Sequence, residues 1–125
     1  MGEGGERVYT IEEANAELPD LRARLELIRR ARQTILRAAE RIRAQVAADG
    51  GGHEGKDYWE AQATLGAQVR VLAERDILLR DPESGLVDFP GERDGRPVYL
   101  CWRLGEERVS FWHDLDSGFA GRRPL

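Results

Sequence analysis

Apolar positions in the first half of the chain follow a helical beat. Leu21, Leu25, Ile28, Arg32, Ile35, Ala39, Ile42 and Val46 succeed one another in alternating steps of four and three. This is a heptad seam interrupted by one charge, Arg32. Proline costs a hydrogen bond inside a helix but suits the first helical position, so the spacing predicts a long helix opening at Pro19 and running to Ala48. At 1.5 Å per residue that rod is about 45 Å long. Ahead of it, TIEE sets Thr10 three residues before Glu13, a capping box that predicts a separate short helix ending before Pro19.

The run ADGGGHEGKD stops the long helix at Gly50–Gly52, and His53 in this polar connector is assigned no role. Trp59, Gln62, Leu65, Val69 and Leu72 line one face of a return helix from Tyr58 to about Arg75, while Ala61, Ala63, Gly66 and Ala67 keep the remainder slim. A short linker between two such helices predicts an antiparallel hairpin.

From Ile77 the period falls to two. ILLRD, GLVDFP, RPVYLCWRL and ERVSFWHD read as four short strands, separated by PESG, GERDG and GEER. The tail LDSGFAGRRPL has no pattern. The expected fold is α+β: a long antiparallel helical hairpin with a short N-terminal helix, followed by a small antiparallel β-sheet. A single domain is expected over residues 1–125, with the helical part at 8–76 (Gly-rich loop 49–56) and the sheet part and tail at 77–125.

The stretch Leu100–Asp114 holds the chain's one Cys, two of its three Trp and one of its two His. In a regular hairpin closed by Gly105–Arg108, Leu104 faces Val109 and Trp102 faces Phe111. Leu100, Trp102, Leu104, Val109, Phe111 and His113 then share one side, with Tyr99, Cys101, Arg103, Ser110 and Trp112 on the other. In that register Cys101 and His113 point apart. A bulge in the turn would shift the parity by one and bring them together. Aromatics on both faces mean that the side away from the hairpin needs its own cover: the tail through Phe119, a partner subunit or a ligand.

Composition narrows the classes. A chain of 125 residues suits one modest core. The net charge of −4 offers no general attraction to nucleic acid or anionic membrane. The basic residues are eighteen Arg and one Lys, which points to a GC-rich bacterial genome. One Cys excludes an internal disulfide and fits a reducing cytoplasm. MGEGGERVYT carries no apolar leader, and no apolar run approaches the roughly 20 residues of a membrane span, so a cytoplasmic protein without membrane contact is expected.

Polar groups collect near the carboxyl end, at Asp88, Glu106, His113, Asp114, Asp116, Arg122 and Arg123, and the candidate functional cluster is Asp88, Cys101, Trp102, Glu106, Trp112, His113 and Arg122. HDLD supplies His113, Asp114 and Asp116, imidazole and oxygen ligands suited to a divalent metal. Glu106 or Asp88 could act as acid or base, Cys101 as ligand or nucleophile, and Arg122 as an anion contact. No phosphate-cradling glycine motif is present.

GLVDFP at Gly85–Pro90 and GRPVYLCWRLGEERVSFWHDLDSGFAGRRPL from Gly95 onward resemble the uncharacterised prokaryotic family called domain of unknown function 2203. YTIEEANAELPDL and RDILLRD are similar to its pattern too. The resemblance implies no activity, substrate or cofactor. It marks Asp88, Phe89, Cys101, Trp102, Gly105, Glu106, Trp112, His113, Gly118 and Arg122 as matching the family's motif.

Three functions follow, in order. The first is a non-enzymatic homo-oligomeric interaction or structural protein, a dimer favoured, because the heptad seam is long and Arg32 within it needs an acidic partner that an oligomer would supply. The second is a metal- or small-ligand-binding module, with catalysis left open, at the carboxyl-terminal cluster. Nucleic-acid binding by the long helix ranks last: Asp20–Ala48 has eight Arg against three acids, but no interleaved aromatics.

Overall fold

The computed structural model describes residues 7–49 and 55–125, so the connector with Gly50–Gly52 and His53 lies outside the described residues. Helix α1 (Ile11–Asp49) and helix α2 (Lys56–Glu74) are followed by strands β1 (Leu78–Asp81), β2 (Leu86–Arg93), β3 (Arg96–Arg103), β4 (Phe111–His113) and β5 (Arg123–Pro124). The strands form one antiparallel sheet in chain order. The α+β architecture is therefore as expected.

The capping box is in place: Glu13 N donates to Thr10 Oγ1 at 3.0 Å and Thr10 N to Glu13 Oε1 at 2.9 Å. The short helix it opens is not separate, however. It continues through Pro19 as the first turns of α1. A proline interior to a helix costs about 3 kcal/mol. Here one unbroken buried face (Ala14, Leu18, Leu21, Leu25 and Ile28) offsets that cost, while Pro19 itself stays on the solvent side.

The two helices run antiparallel. Arg75 after α2 bonds Glu17 and Asp20 near the start of α1, at 2.9 and 2.8 Å, and Arg24 bonds Gln68 at 2.8 Å. On α2 the face turned inward centres on Ala61 and Leu72, with Leu65 beside them. Trp59, Gln62 and Val69, expected on that stripe, are exposed. The charge in the α1 seam finds its partner inside the chain, with Arg32 Nη1 2.9 Å from Glu83 Oε1 in the β1–β2 turn. Arg32 thus makes no demand for a second subunit.

The sheet's inner face supplies Val87, Phe89, Val98, Leu100, Trp102 and Trp112, and together with α1, Tyr9 and Val109 they make the core. β2 extends past the expected end through Pro90 to Arg93, because its turn needs only two residues. Asp94 and Gly95 have φ of 53° and 76°, the double positive φ of a type I′ hairpin. Pro90 lies beyond the reach of β1, which pairs only as far as Asp88, and its carbonyl accepts from Tyr9 N at 2.7 Å. The tail contributes β5, which was not expected, and a 3₁₀ turn at Phe119–Gly121.

The register between β3 and β4 differs by one residue from the regular hairpin. Tyr99 pairs with His113, Leu100 with Trp112 and Cys101 with Phe111. The cause lies in the connection. Val109 is pinned toward the helices by the bond of its N–H to Asn15 Oδ1 on α1, at 2.8 Å. Trp102 Nε1 donates to Glu106 O at 3.0 Å, which curls the loop under its own strand. Val109 and Trp112 both enter the core although three positions apart, so the alternation breaks at Ser110. Trp112 turns inward, and Phe111 and His113 turn to the outer face beside Tyr99 and Cys101.

Candidate metal centre beneath the carboxyl-terminal tail

Strand pairing builds the site. Asp88 on β2 stands directly opposite Cys101 on β3, and His113 on β4 stands opposite Tyr99, one pleat away. All three side chains project from the outer face and are almost completely buried. One ligand atom from each lies within 4.8 Å of the other two. Of the three covers the sequence left open, the tail lies here: Arg122 packs over the rings of Phe111 and Phe119, 4.0 and 4.3 Å from their centroids. Its guanidinium pairs with Glu106 Oε2 at 2.9 Å, and Glu106 Oε1 in turn accepts from Arg103 N at 2.9 Å.

Hydrogen bonding fixes the imidazole. Nδ1 of His113 lies 2.7 Å from the Asp114 carbonyl oxygen and must donate to it. Nε2 then faces both carboxylate oxygens of Asp88, each at 3.1 Å. With Nδ1 committed to the carbonyl, either a shared proton or a cation must lie between Nε2 and the Asp88 carboxyl group. Arg80 completes the surroundings, its Nε donating to Asp88 Oδ2 at 2.8 Å while its guanidinium lies 5.0 Å over the Tyr99 ring. The Asp88 bond holds the Arg80 guanidinium above its ordinary range.

Burial pushes the Cys101 thiol up to about 12, with the Asp88 carboxylate adding to the shift and Arg122 opposing it. Without a metal ion Cys101 is a thiol at neutral pH and a poor nucleophile. A bound divalent ion would deprotonate it outright.

The structure distributes the sequence candidates unevenly. Asp88, Cys101 and His113 converge, and Arg122 and Glu106 close the side nearest the tail. Trp102 and Trp112 lie on the opposite face, in the core. The Asp114 carboxylate turns away to Arg96 and Arg123, at 3.3 and 3.8 Å. Asp116 lines a cavity of about 380 Å³ that Asp88, His113, Arg80, Ser117 and Phe119 also line. A larger cavity of about 730 Å³ lies on the same side of the sheet and shares Arg80 and Leu115 with it. Arg80 was missed from sequence. The available signal was parity: in ILLRD it falls on the same face as Leu78, which pairs with Asp88.

Fold and site together define a class: a helical hairpin laid on one face of a five-stranded antiparallel meander, with a buried Asp–Cys–His cluster on the other. Residues 7–125 match the model of the family described as Uncharacterized conserved protein (DUF2203), and the chain belongs to that family. Neither the curated proteins nor the solved structures gave a match. Among the described residues, no helix is long and apolar enough to cross a membrane.

Proposed function

We propose that this chain is a divalent-metal-binding module of the zinc class, with Asp88 oxygen, Cys101 sulfur and His113 Nε2 as its ligands. The observation that carries this reading is the convergence of three different ligand types, all buried, within 4.8 Å of one another. Mixed nitrogen, sulfur and oxygen donors suit a borderline-soft ion. Ligands about 2.0 Å from a tetrahedral ion stand about 3.3 Å apart, close to the 3.1 Å between Nε2 and the Asp88 oxygens. The Asp114 carbonyl supplies the outer hydrogen bond that holds a ligating imidazole in one tautomer.

The test is elemental analysis of untagged protein purified without chelator, followed by cobalt(II) substitution. About one equivalent per chain is expected, with a thiolate-to-cobalt charge-transfer band that disappears in Cys101→Ser and in His113→Ala. Metal-free protein that gives no such band on cobalt addition would refute the reading.

A second reading, a homo-oligomeric structural protein, is favoured by one observation. Leu36, Val46, Trp59 and Val69 are exposed on the hairpin. Light scattering that gives a dimer mass, reverting to monomer in Leu36→Glu with Trp59→Glu, would support it; a monomer at high concentration would end it. Arg22, Arg24, Arg29, Arg32 and Arg43 are spent on protein acceptors, which supports leaving nucleic acid out. The free, buried Cys101 suits a reducing cytoplasm.

A further inference from the structure

Structural zinc sites close with four protein ligands, whereas sites that exchange ligands hold three and leave one position open. Among the described residues the only grouping close enough to hold an ion is Asp88, Cys101 and His113. Two of the three, Asp88 and His113, line the cavity of about 380 Å³, and Cys101 does not. The cavity thus opens onto the Asp88–His113 side of the cluster, the side on which a fourth ligand can reach it. Its size suits a small organic molecule and is more than a single water needs.

Charges on the cavity wall select the occupant. Arg80 lines it and is partly exposed while its Nε is held by Asp88, so a cation stands beside the open position. A metal and a guanidinium side by side favour an oxyanion, one oxygen on the ion and the other toward the arginine. Asp116 on the same wall opposes a second negative charge. Resting on the metal reading above, we infer that the fourth position takes an exogenous monoanionic carboxylate, carried by a small molecule that enters through this cavity.

The experiment uses cobalt(II)-loaded full-length protein, whose visible bands report coordination, titrated with acetate and separately with inorganic phosphate at constant ionic strength. Acetate is expected to change the bands saturably. Arg80→Gln should weaken the acetate response about tenfold with cobalt still bound, and Ser117→Trp, which fills the cavity, should abolish it. Asp116→Asn should strengthen phosphate relative to acetate. Tetrahedral cobalt bands that ignore acetate would overturn the inference while leaving the metal site standing, because the fourth ligand would then come from the protein. Phosphate binding more tightly than acetate in the unmodified protein would overturn the choice of carboxylate. No cobalt band at all would remove the metal site and this inference together.

Discussion

His113 Nε2 is equidistant from the two oxygens of Asp88, 3.1 Å from each, and both residues are buried. Arg80 adds a second partner to this buried pair, with its Nε 2.8 Å from Asp88 Oδ2. Removing one partner of such a pair strands the other without water. Asp88→Ala in the presence of chelator should therefore lower stability by about 3–5 kcal/mol. Asp88→Ala combined with His113→Leu should recover part of that loss, because no buried imidazole is then left facing the vacated carboxylate position. Urea unfolding of the two variants measures this, and a double variant no more stable than Asp88→Ala alone would show that His113 is not what the first substitution strands.

The tail is fastened by Arg122. Its guanidinium lies between two phenylalanine rings and pairs with Glu106, while Leu125 N donates to Ser110 O at 2.9 Å. Arg122→Ala should free the tail without unfolding the core, which is built on the opposite face. Amide exchange at residues 118–125 should quicken at least tenfold, with exchange in β2 and β3 unchanged, and Arg122→Lys should not rescue the double ring packing.

Gly85 closes the β1–β2 turn with φ of +73°, and a Cβ built there would stand 2.6 Å from Leu104 Cβ. Backbone preference and close approach both exclude a side chain. Gly85→Ala should cost roughly 2 kcal/mol or more. Gly95 is a contrast: its φ is +76°, yet nothing lies within 4 Å of an added Cβ. Asn, which tolerates this conformation, should therefore be accepted there at a cost below about 1 kcal/mol. Thermal unfolding of the two variants side by side checks the distinction.

These relationships were legible in the sequence to different depths. The capping box at Thr10 and Glu13, the hairpin and the strand tracts follow from local spacing, and the structure keeps them. Continuity through Pro19 was hidden, because the apolar face that outweighs the proline is completed by tertiary packing of Ala14 and Leu18. The parity of β4 was hidden for a similar reason. Whether Cys101 and His113 share a face is decided by Asn15, 94 positions before Val109, and by the fold-back of Glu106 under Trp102. Neither contact leaves a trace in the alternation of residues 100–114. Trp112 was expected on the side of Cys101 and Trp102 on the side of His113; the one-residue shift of β4 instead turns Trp112 into the core beside Trp102 and His113 out to Cys101.

Pro19 gives a direct measure of what tertiary packing offsets. It sits within α1 and is exposed, so replacement by Ala removes no buried contact and restores the Pro19 N–H to the helix. Pro19→Ala should raise stability by about 1–3 kcal/mol. An unchanged urea midpoint would mean that the helix is bent at this point in a way that Ala does not relax.

Tyr9 links the entry of the chain to the end of α2 and carries the alkaline sensitivity of the fold. Its ring is buried against Phe89, and its hydroxyl donates to the carbonyl of Arg75. Burial is the largest cause that raises this hydroxyl above its ordinary value of 10.0, and Arg7, over the ring at 4.4 Å, opposes it. A raised value means that the folded protein holds the phenol proton where the unfolded chain gives it up. Below pH 10 both states keep the proton and stability does not depend on it; above pH 10 the unfolded chain ionises first, and stability falls as pH rises. Tyr9→Phe removes both the proton and the bond to Arg75. At pH 7.5 the variant should be less stable by about 0.5–1.5 kcal/mol, the net worth of one hydrogen bond. Its decline above pH 10 should be shallower, so that the two stability curves converge as pH rises. Parallel curves would show that the phenol keeps its proton equally in the folded and unfolded chain, and the burial of its hydroxyl would then carry no electrostatic cost.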